Sequence, residues 1–349
     1  MAAQVETQSR AASFFDEVRE TWQAAADGTR VEERRYRIAG LGLELRVAGP
    51  ALVRPLTRAL AHLPAPPLDA VKLVVRAWDT RTTGIAIPRA PWGAGDYLEY
   101  GKIRGFFDER FQFTFQWGSH SLVMLDVERG EAIYWVASAE QIPHFEMAAP
   151  LRIVLHGWLQ AQGVELVHAA AVGSGDGCVL LAGKTGTGKS WTALAASRSG
   201  LELLADDYSL LRPGSPTRVA SVYSAAKTHA DALERLPFLD AMVDNRARPE
   251  GDKAVYFLRE HDPIGLLLEA DLQAVLIPRR VATGSARLVP APAAAALAAL
   301  APSTILQLPA AGAETLRRIT AVVREVPCFT LDLGTELAAI GPAIASLLI

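Results

Sequence analysis

The chain predicts an α/β protein with a phosphate-loop domain in its C-terminal half and an α+β domain in its N-terminal half. Three observations carry this. The first is Leu180-Leu181-Ala182-Gly183-Lys184-Thr185-Gly186-Thr187-Gly188-Lys189-Ser190, an apolar strand running into a glycine-rich turn and then a helix. The second is Leu201-Glu202-Leu203-Leu204-Ala205, a short apolar strand ending in Asp206-Asp207. The third is a series of period-two runs between residues 111 and 136, separated by short turns, as in an antiparallel meander.

Taken in order, residues 1–30 predict one polar helix around Phe14, Phe15, Val18 and Trp22, a loosely attached element. Tyr36-Arg37-Ile38 and residues 41–47 alternate about Gly40 and Gly42, as a hairpin or bent strand does. Pro50 opens a helix with Leu52, Val53, Leu56, Leu60 and Leu63 on one face, closed at Pro64. A strand at 71–78 follows, then a loop rich in glycine and proline over 81–96. Phe111, Phe113, Phe115 and Trp117 start the meander, which continues through 122–127 and 132–136. A substrate platform would show the same aromatic spacing, but packing on one face of a sheet accounts for it and is the reading taken.

Pro150 starts a helix through Leu151, Val154, Leu155 and Trp158, and Gly163 ends the connection. The expected division is therefore an N-terminal helix over 1–30, an α+β accessory or recognition domain over 31–160, and the phosphate-loop domain over 161–349. In the last, strands are expected at 164–172, 177–182, 201–205, 272–277 and 328–333, with helices at 291–300 and 313–323. No repeat of fixed period runs through the 349 residues.

Composition narrows the function classes. A formal net charge of −3, with Lys and Arg scattered, lacks the footprint of a duplex-binding protein, so nucleic acid is not an expected partner. Two cysteines, Cys178 and Cys328, are too few for a disulfide framework and suit a reducing compartment. The first fifteen residues have no apolar core of signal-peptide length. The most apolar window, 288–308, is alanine-built and broken by Pro290, Pro292 and Pro302, unlike a membrane span. A soluble, cytoplasmic protein is expected.

Chemistry concentrates at the loop. Gly183 and Gly188 frame four residues before Lys189-Ser190, a spacing that lets consecutive backbone N–H groups wrap phosphates. Lys189 then reaches the outer oxygens and Ser190 ligates Mg²⁺, while Lys184, Thr185, Gly186, Thr187 and Trp191 complete the nucleotide-binding set. The following helix, closed by Gly200, adds its partial positive charge. ATP and Mg²⁺ are the expected ligands.

Residues 173–177, Gly-Ser-Gly-Asp-Gly, make an antiparallel hairpin of the two strands they join. With Gly175 at its tip, His168 falls opposite Ala182, one residue before the first glycine of the loop. An imidazole there, with an ordinary pKa of about 6.5, can tune a neighbouring carboxylate. Asp206 and Asp207 follow the next strand, where one acid can hold Mg²⁺ and the other accept a proton from an attacking hydroxyl.

His168, the glycine loop, and Leu204-Ala205-Asp206-Asp207 resemble, in this order and at similar separations, the catalytic domain of the HPr kinase/phosphorylase family. In that family a histidine, a Walker-type loop and a V-A-D-D strand end recur. The match is strong over about 165–210 and weaker over the rest of the C-terminal half. The runs Tyr36-Arg37-Ile38-Ala39-Gly40-Leu41 and Pro327-Cys328-Phe329-Thr330-Leu331-Asp332-Leu333-Gly334 look more like HPr-kinase-related proteins of peptide-modification and polysaccharide gene clusters, including lasso-peptide serine kinases. The resemblance implies a P-loop kinase domain of HPr kinase/PEP carboxykinase-like type. It implies Lys189 as the phosphate lysine, Ser190 as a magnesium ligand, Asp207 as general base and His168 as its partner, while Asp206 is expected to help position the metal. It also implies self-association.

The family's HPr-specific signature, with its magnesium-binding glutamate, is not recognisable here. Its place is taken by Val222-Tyr223-Ser224-Ala225-Ala226-Lys227, with Glu234 only nearby, so HPr is not implied as the substrate. Lys227, Lys253, Arg279 and Arg280 either neutralise transferred phosphate or are solvated surface charge. The expected function is that of an ATP-dependent serine kinase-like phosphotransferase acting on a peptide, a carrier protein or a small hydroxyl metabolite. The alternative is a non-catalytic ATP-binding sensor or scaffold of a biosynthetic gene cluster, against which His168 and Asp206-Asp207 weigh.

Overall fold

In the computed structural model, which describes residues 2–261, 264–309 and 311–348, the chain is mixed α/β with three sheets. It divides into two units. One comprises Met1–Arg58 and Leu63–Gln162 with Leu308–Ala310; the other comprises Ala59–His62, Gly163–Gln307 and Ala311–Ile349.

The first unit carries a seven-stranded sheet. Its strands are β1 (Val31–Ile38), β2 (Leu41–Ala48), β3 (Val71–Asp79), β4 (Lys102–Phe107), β5 (Phe111–Gln116), β6 (Ser121–Asp126) and β7 (Glu131–Val136), in the order β1-β2-β3-β7-β6-β5-β4. The β1–β2 hairpin turns on two residues, Ala39 and Gly40, both at positive φ, as a right-twisted two-residue turn requires. β4 was not foreseen from the sequence. The helix Ala2–Gly28 is not loosely attached: Phe14, Phe15, Val18 and Trp22 are each at most 4% exposed. They pack with Trp78, Phe111 and Phe113, and Trp22 Nε1 donates to Ala77 O at 3.2 Å. A narrow apolar stripe on a polar helix suffices to bury one face. Along β5 the aromatic series runs from core to surface, with Phe113 buried and Trp117 58% exposed.

The second unit carries β8 (Glu165–Val167), β9 (Ala170–Ser174), β10 (Gly177–Leu181), β11 (Glu202–Ala205), β12 (Ser209–Arg212), β13 (Arg218–Ala220), β14 (Ala225–Thr228), β15 (Ala254–Phe257), β16 (Glu269–Arg280), β17 (Arg287–Pro290) and β18 (Cys328–Leu333). β14 and β15 form a two-stranded sheet. The other nine run β11-β9-β10-β16-β13-β12-β8, with β18 beside β16 and β17 beside β18. Alternate residues of β10 enter two cores. Val179 and Leu181 pack with Leu194 of the helix Lys189–Ser197, while Cys178 and Leu180 pack with Leu300, Ile319 and Val322 of the helices Ala293–Ile305 and Ala313–Glu325.

Two expectations about this region are corrected. The predicted strand over 164–172 is two strands, β8 and β9, broken at His168-Ala169. The hairpin register is also one residue off: Ser174 pairs with Gly177 and Ala170 with Leu181, so His168 lies beyond the β9–β10 ladder and not opposite Ala182. The cause is the turn, which uses only Gly175 and Asp176 and not a three-residue tip.

The break has a partner. β8 pairs with β12 and β9 with β11, and the pairs Val167↔Ser209 and Ala171↔Ala205 share one antiparallel register. Three residues on each chain, 168–170 and 206–208, span the gap between them. β8 and β9 stand far apart in the strand order, yet a two-residue link of extended chain reaches only about 10 Å. The sheet therefore curls back on itself, and the two crossings lie side by side at its crease. Among the described residues, no helix is long and apolar enough to cross a membrane.

Candidate functional site

The buried strand β10 delivers the chain to Gly183, whose φ of 155° begins the glycine-rich loop. Gly186 and Gly188 follow at φ 87° and 104°, conformations that side-chain-bearing residues rarely adopt. A Cβ on Gly183 would meet Thr187 Oγ1 at 2.5 Å, so the loop closes tightly on itself. Thr187 Oγ1 donates to Lys184 O at 2.9 Å. The helix Lys189–Ser197 starts directly after Gly188. Lys189 Nζ donates to Gly183 O at 2.6 Å and Lys184 O at 3.3 Å, which curls the ammonium over the mouth of the loop.

At the crease the two crossing chains bring their polar residues together. His168 Nε2 lies 3.2 Å from Asp207 Oδ1. Lys227 Nζ stands 2.5 Å from the other oxygen, Oδ2. Asp207 is held at φ 65°, left-handed for a residue with a side chain. The imidazole is fixed from behind: Gln307 Nε2 lies 3.3 Å from its Nδ1, and Tyr208 Oη donates to Gln307 Oε1 at 3.2 Å. The backbone N–H of His168 donates to Thr304 Oγ1 at 3.0 Å. Asp206 points elsewhere. Its Oδ2 accepts from the backbone N–H of Lys227 at 2.9 Å, while its Oδ1 is buried with no hydrogen-bond partner among the described residues. Lys227 thus addresses both carboxylates, one through its ammonium and the other through its amide.

These contacts push the paired acids apart. Burial and the charge of Asp207 raise Asp206 to about 6, against the lowering influence of the Ser190 side chain and the Lys227 N–H. Burial also acts to raise Asp207, but Lys227 and His168 outweigh it and hold that carboxyl well below its ordinary range. Burial lowers His168 despite Asp207, and lowers Lys189 despite both acids.

A cavity of about 300 Å³ opens over this cluster. Of the residues foreseen from the sequence, His168, Thr185, Gly186, Gly188, Lys189, Ser190, Trp191 and Asp207 line it. Gly183, Lys184 and Thr187 shape the loop without forming its wall, and Asp206, 1% exposed, lies out of the wall as well. Lys227, Lys253 and Arg280 are in the wall, whereas Arg279 turns to Asp332 at 2.7 Å and is not. Thr228, His229, Asp231 and Ala232 complete the lining and were not foreseen. Neither was Gln307, a lone polar residue after an alanine-rich helix that carries no sequence signal.

Side-chain chemistry in the cavity is that of an anion site with two acids in its wall, Asp207 against Lys227 and Asp231 against Arg280. Several cations and a glycine-rich helix start suit phosphate oxygens. The orphaned Asp206 Oδ1 and the Ser190 hydroxyl are hard oxygen donors of the kind Mg²⁺ takes. Among the described residues, no group of three His, Cys, Asp or Glu side chains could hold a metal by itself. Asp206 and Ser190 therefore fit Mg²⁺ as two oxygen donors of a larger set.

The chain matches no protein-family model and no curated protein. Among solved structures it is similar to the Hpr(Ser) kinase/phosphatase from Coxiella burnetii, at 9% identity and a TM-score of 0.29, over 52% of this chain and 89% of that one.

Proposed function

We propose that the chain is an ATP-dependent phosphotransferase that phosphorylates a hydroxyl group, with nucleotide phosphates seated on the loop from Gly183 to Ser190 and Asp207 as general base. What carries the reading is the convergence of His168, Asp207, Lys227 and the glycine loop on one cavity, although the chain separates them by up to 59 positions. Ser190 and Asp206 would hold Mg²⁺, which supplies charge neutralisation at the phosphate oxygens. Residues 161–349 are the P-loop kinase domain in this reading, and 31–160 supply acceptor recognition. The acceptor is a seryl hydroxyl of a peptide or carrier protein, or a small hydroxyl metabolite, and the protein is soluble and cytoplasmic.

Each residue then has a task. Lys189 exchanges the loop carbonyls for phosphate oxygens when ligand enters, because the ammonium that would meet those oxygens is the one that donates to Gly183 O. Asp207 takes the proton of the acceptor hydroxyl at whichever oxygen Lys227 or His168 yields. Its low pKa makes it a weak base, adequate where transfer is mostly positioning and charge neutralisation. His168, held by Gln307, fixes the rotation of that carboxylate.

The test is incubation with MgATP and the peptides and metabolites made by neighbouring genes, followed by mass spectrometry for a gain of one phosphate. Lys189→Ala is expected to abolish the labelling. Calorimetry that registers no heat with adenine nucleotide would remove the reading. Tight binding with no transfer to any acceptor would favour a nucleotide-binding sensor or scaffold.

A further inference from the structure

Three of the cavity's cations already have anionic or carbonyl partners. Lys189 donates to Gly183 O and Lys184 O, Lys227 faces Asp207, and Arg280 pairs with Asp231 at 3.1 Å. The fourth is Lys253. It lines the same cavity, and among the described residues its ammonium makes neither a hydrogen bond nor an ion pair.

Its backbone is firmly anchored. Asn245, 7% exposed, donates from Nδ2 to Lys253 O at 2.9 Å and accepts from Val255 N at Oδ1, also 2.9 Å. β15 begins at the next residue and sets Val255 opposite Lys227. Lys253 shares the cavity wall with His168, Lys189, Ser190 and Asp207, and its charge acts to lower both Asp206 and Asp207.

We propose that Lys253 is a second phosphate-contacting cation, one that meets the phosphoryl group in transit and not the nucleotide at rest. This rests on the phosphotransferase reading above. In that reaction the acceptor oxygen bonds to the terminal phosphorus and its proton passes to Asp207. The bond from phosphorus to the bridging oxygen breaks, and the electron pair leaves with the nucleoside diphosphate. Charge spreads over the three equatorial oxygens throughout. An ammonium carried on an anchored backbone, with no partner to give up, can neutralise that charge directly, whereas Arg280 would first have to leave Asp231.

The experiment compares equilibrium binding of MgADP with that of MgADP plus aluminium fluoride, a planar mimic of the transferring group. It uses the full chain as wild type, Lys253→Met and Lys253→Gln, with thermal melting to verify folding. Both variants are expected to hold MgADP within about threefold of wild type and to lose about a hundredfold in affinity for the mimic. Lys253→Arg should recover part of that loss. Unchanged affinity for the mimic in either folded variant overturns the inference. So does a loss of MgADP binding in the same proportion, which would make Lys253 a ground-state contact. A wild type that binds no MgADP fails the phosphotransferase reading itself, and the inference falls with it.

Discussion

His168 and Asp207 meet at 3.2 Å across 39 positions of chain because each sits on one of two crossings at the same crease. The contact is set by the backbone register of four strands, with Gln307 and Lys227 holding its outer ends.

The base assignment makes a direct prediction. Asp207→Asn keeps the shape of the side chain and removes its capacity to take a proton. Nucleotide affinity measured by calorimetry should stay near that of wild type, while phosphoryl transfer falls by about a hundredfold or more. Transfer at the normal rate would displace Asp207 from the role.

The Lys227–Asp207 pair can be tested without substrate. Both side chains are 12% exposed, so removing one partner strands a charge in a poorly solvated place. Lys227→Met is expected to lower unfolding free energy by about 3–5 kcal/mol in denaturant titrations. Lys227→Met combined with Asp207→Asn should recover much of that loss, because no charge is left unpaired. Strictly additive losses would show the pair to be uncoupled.

Attachment of the N-terminal helix is testable by packing. Phe15 is fully buried between the helix and β5, so Phe15→Ala should cost about 3–5 kcal/mol. Glu17 faces solvent on the same helix, and Glu17→Ala should stay within about 0.5 kcal/mol. Equal, small effects would restore the picture of a loose element.

Acid sensitivity should trace in part to His156. It is fully buried with neither ring nitrogen partnered among the described residues, and burial, aided by Arg152, lowers its pKa to about 3. Between that value and the ordinary one the unfolded chain binds more protons than the folded one. Stability therefore falls as pH drops below about 6.5. Between pH 7.5 and 5 this residue should account for up to about 2 kcal/mol of loss, which His156→Leu removes. His62, lowered to about 4 by burial and Arg259, acts in the same sense and remains in the variant, so the quantity compared is the difference between the two proteins. An identical pH slope in both would count against the assignment.

Much of the site could be read from the chain because its parts are local. The loop from Gly183 to Ser190 and the Asp206-Asp207 strand end are contiguous runs, and each is recognisable by its spacing. What lay beyond reading was the long-range pairing. The nearness of His168 to the loop was anticipated through a hairpin register that is off by one residue, and the imidazole reaches the site by another route, the break between β8 and β9. Lys227 was visible only as one of four basic residues of equal standing. Its distinction comes from β14, which lays its amide against one acid and its ammonium against the other. The Ala2–Gly28 helix misled because polar residues outnumber the narrow stripe that packs.

The common register of Val167↔Ser209 and Ala171↔Ala205 has an implication for how such a chain can change over time. Adding one residue to either crossing alone would turn every side chain beyond it to the opposite face of its strand. Lineages and engineers alike must alter both crossings together or leave both untouched. Insertions should therefore gather in the outlying turns, and this short double bridge should keep its length.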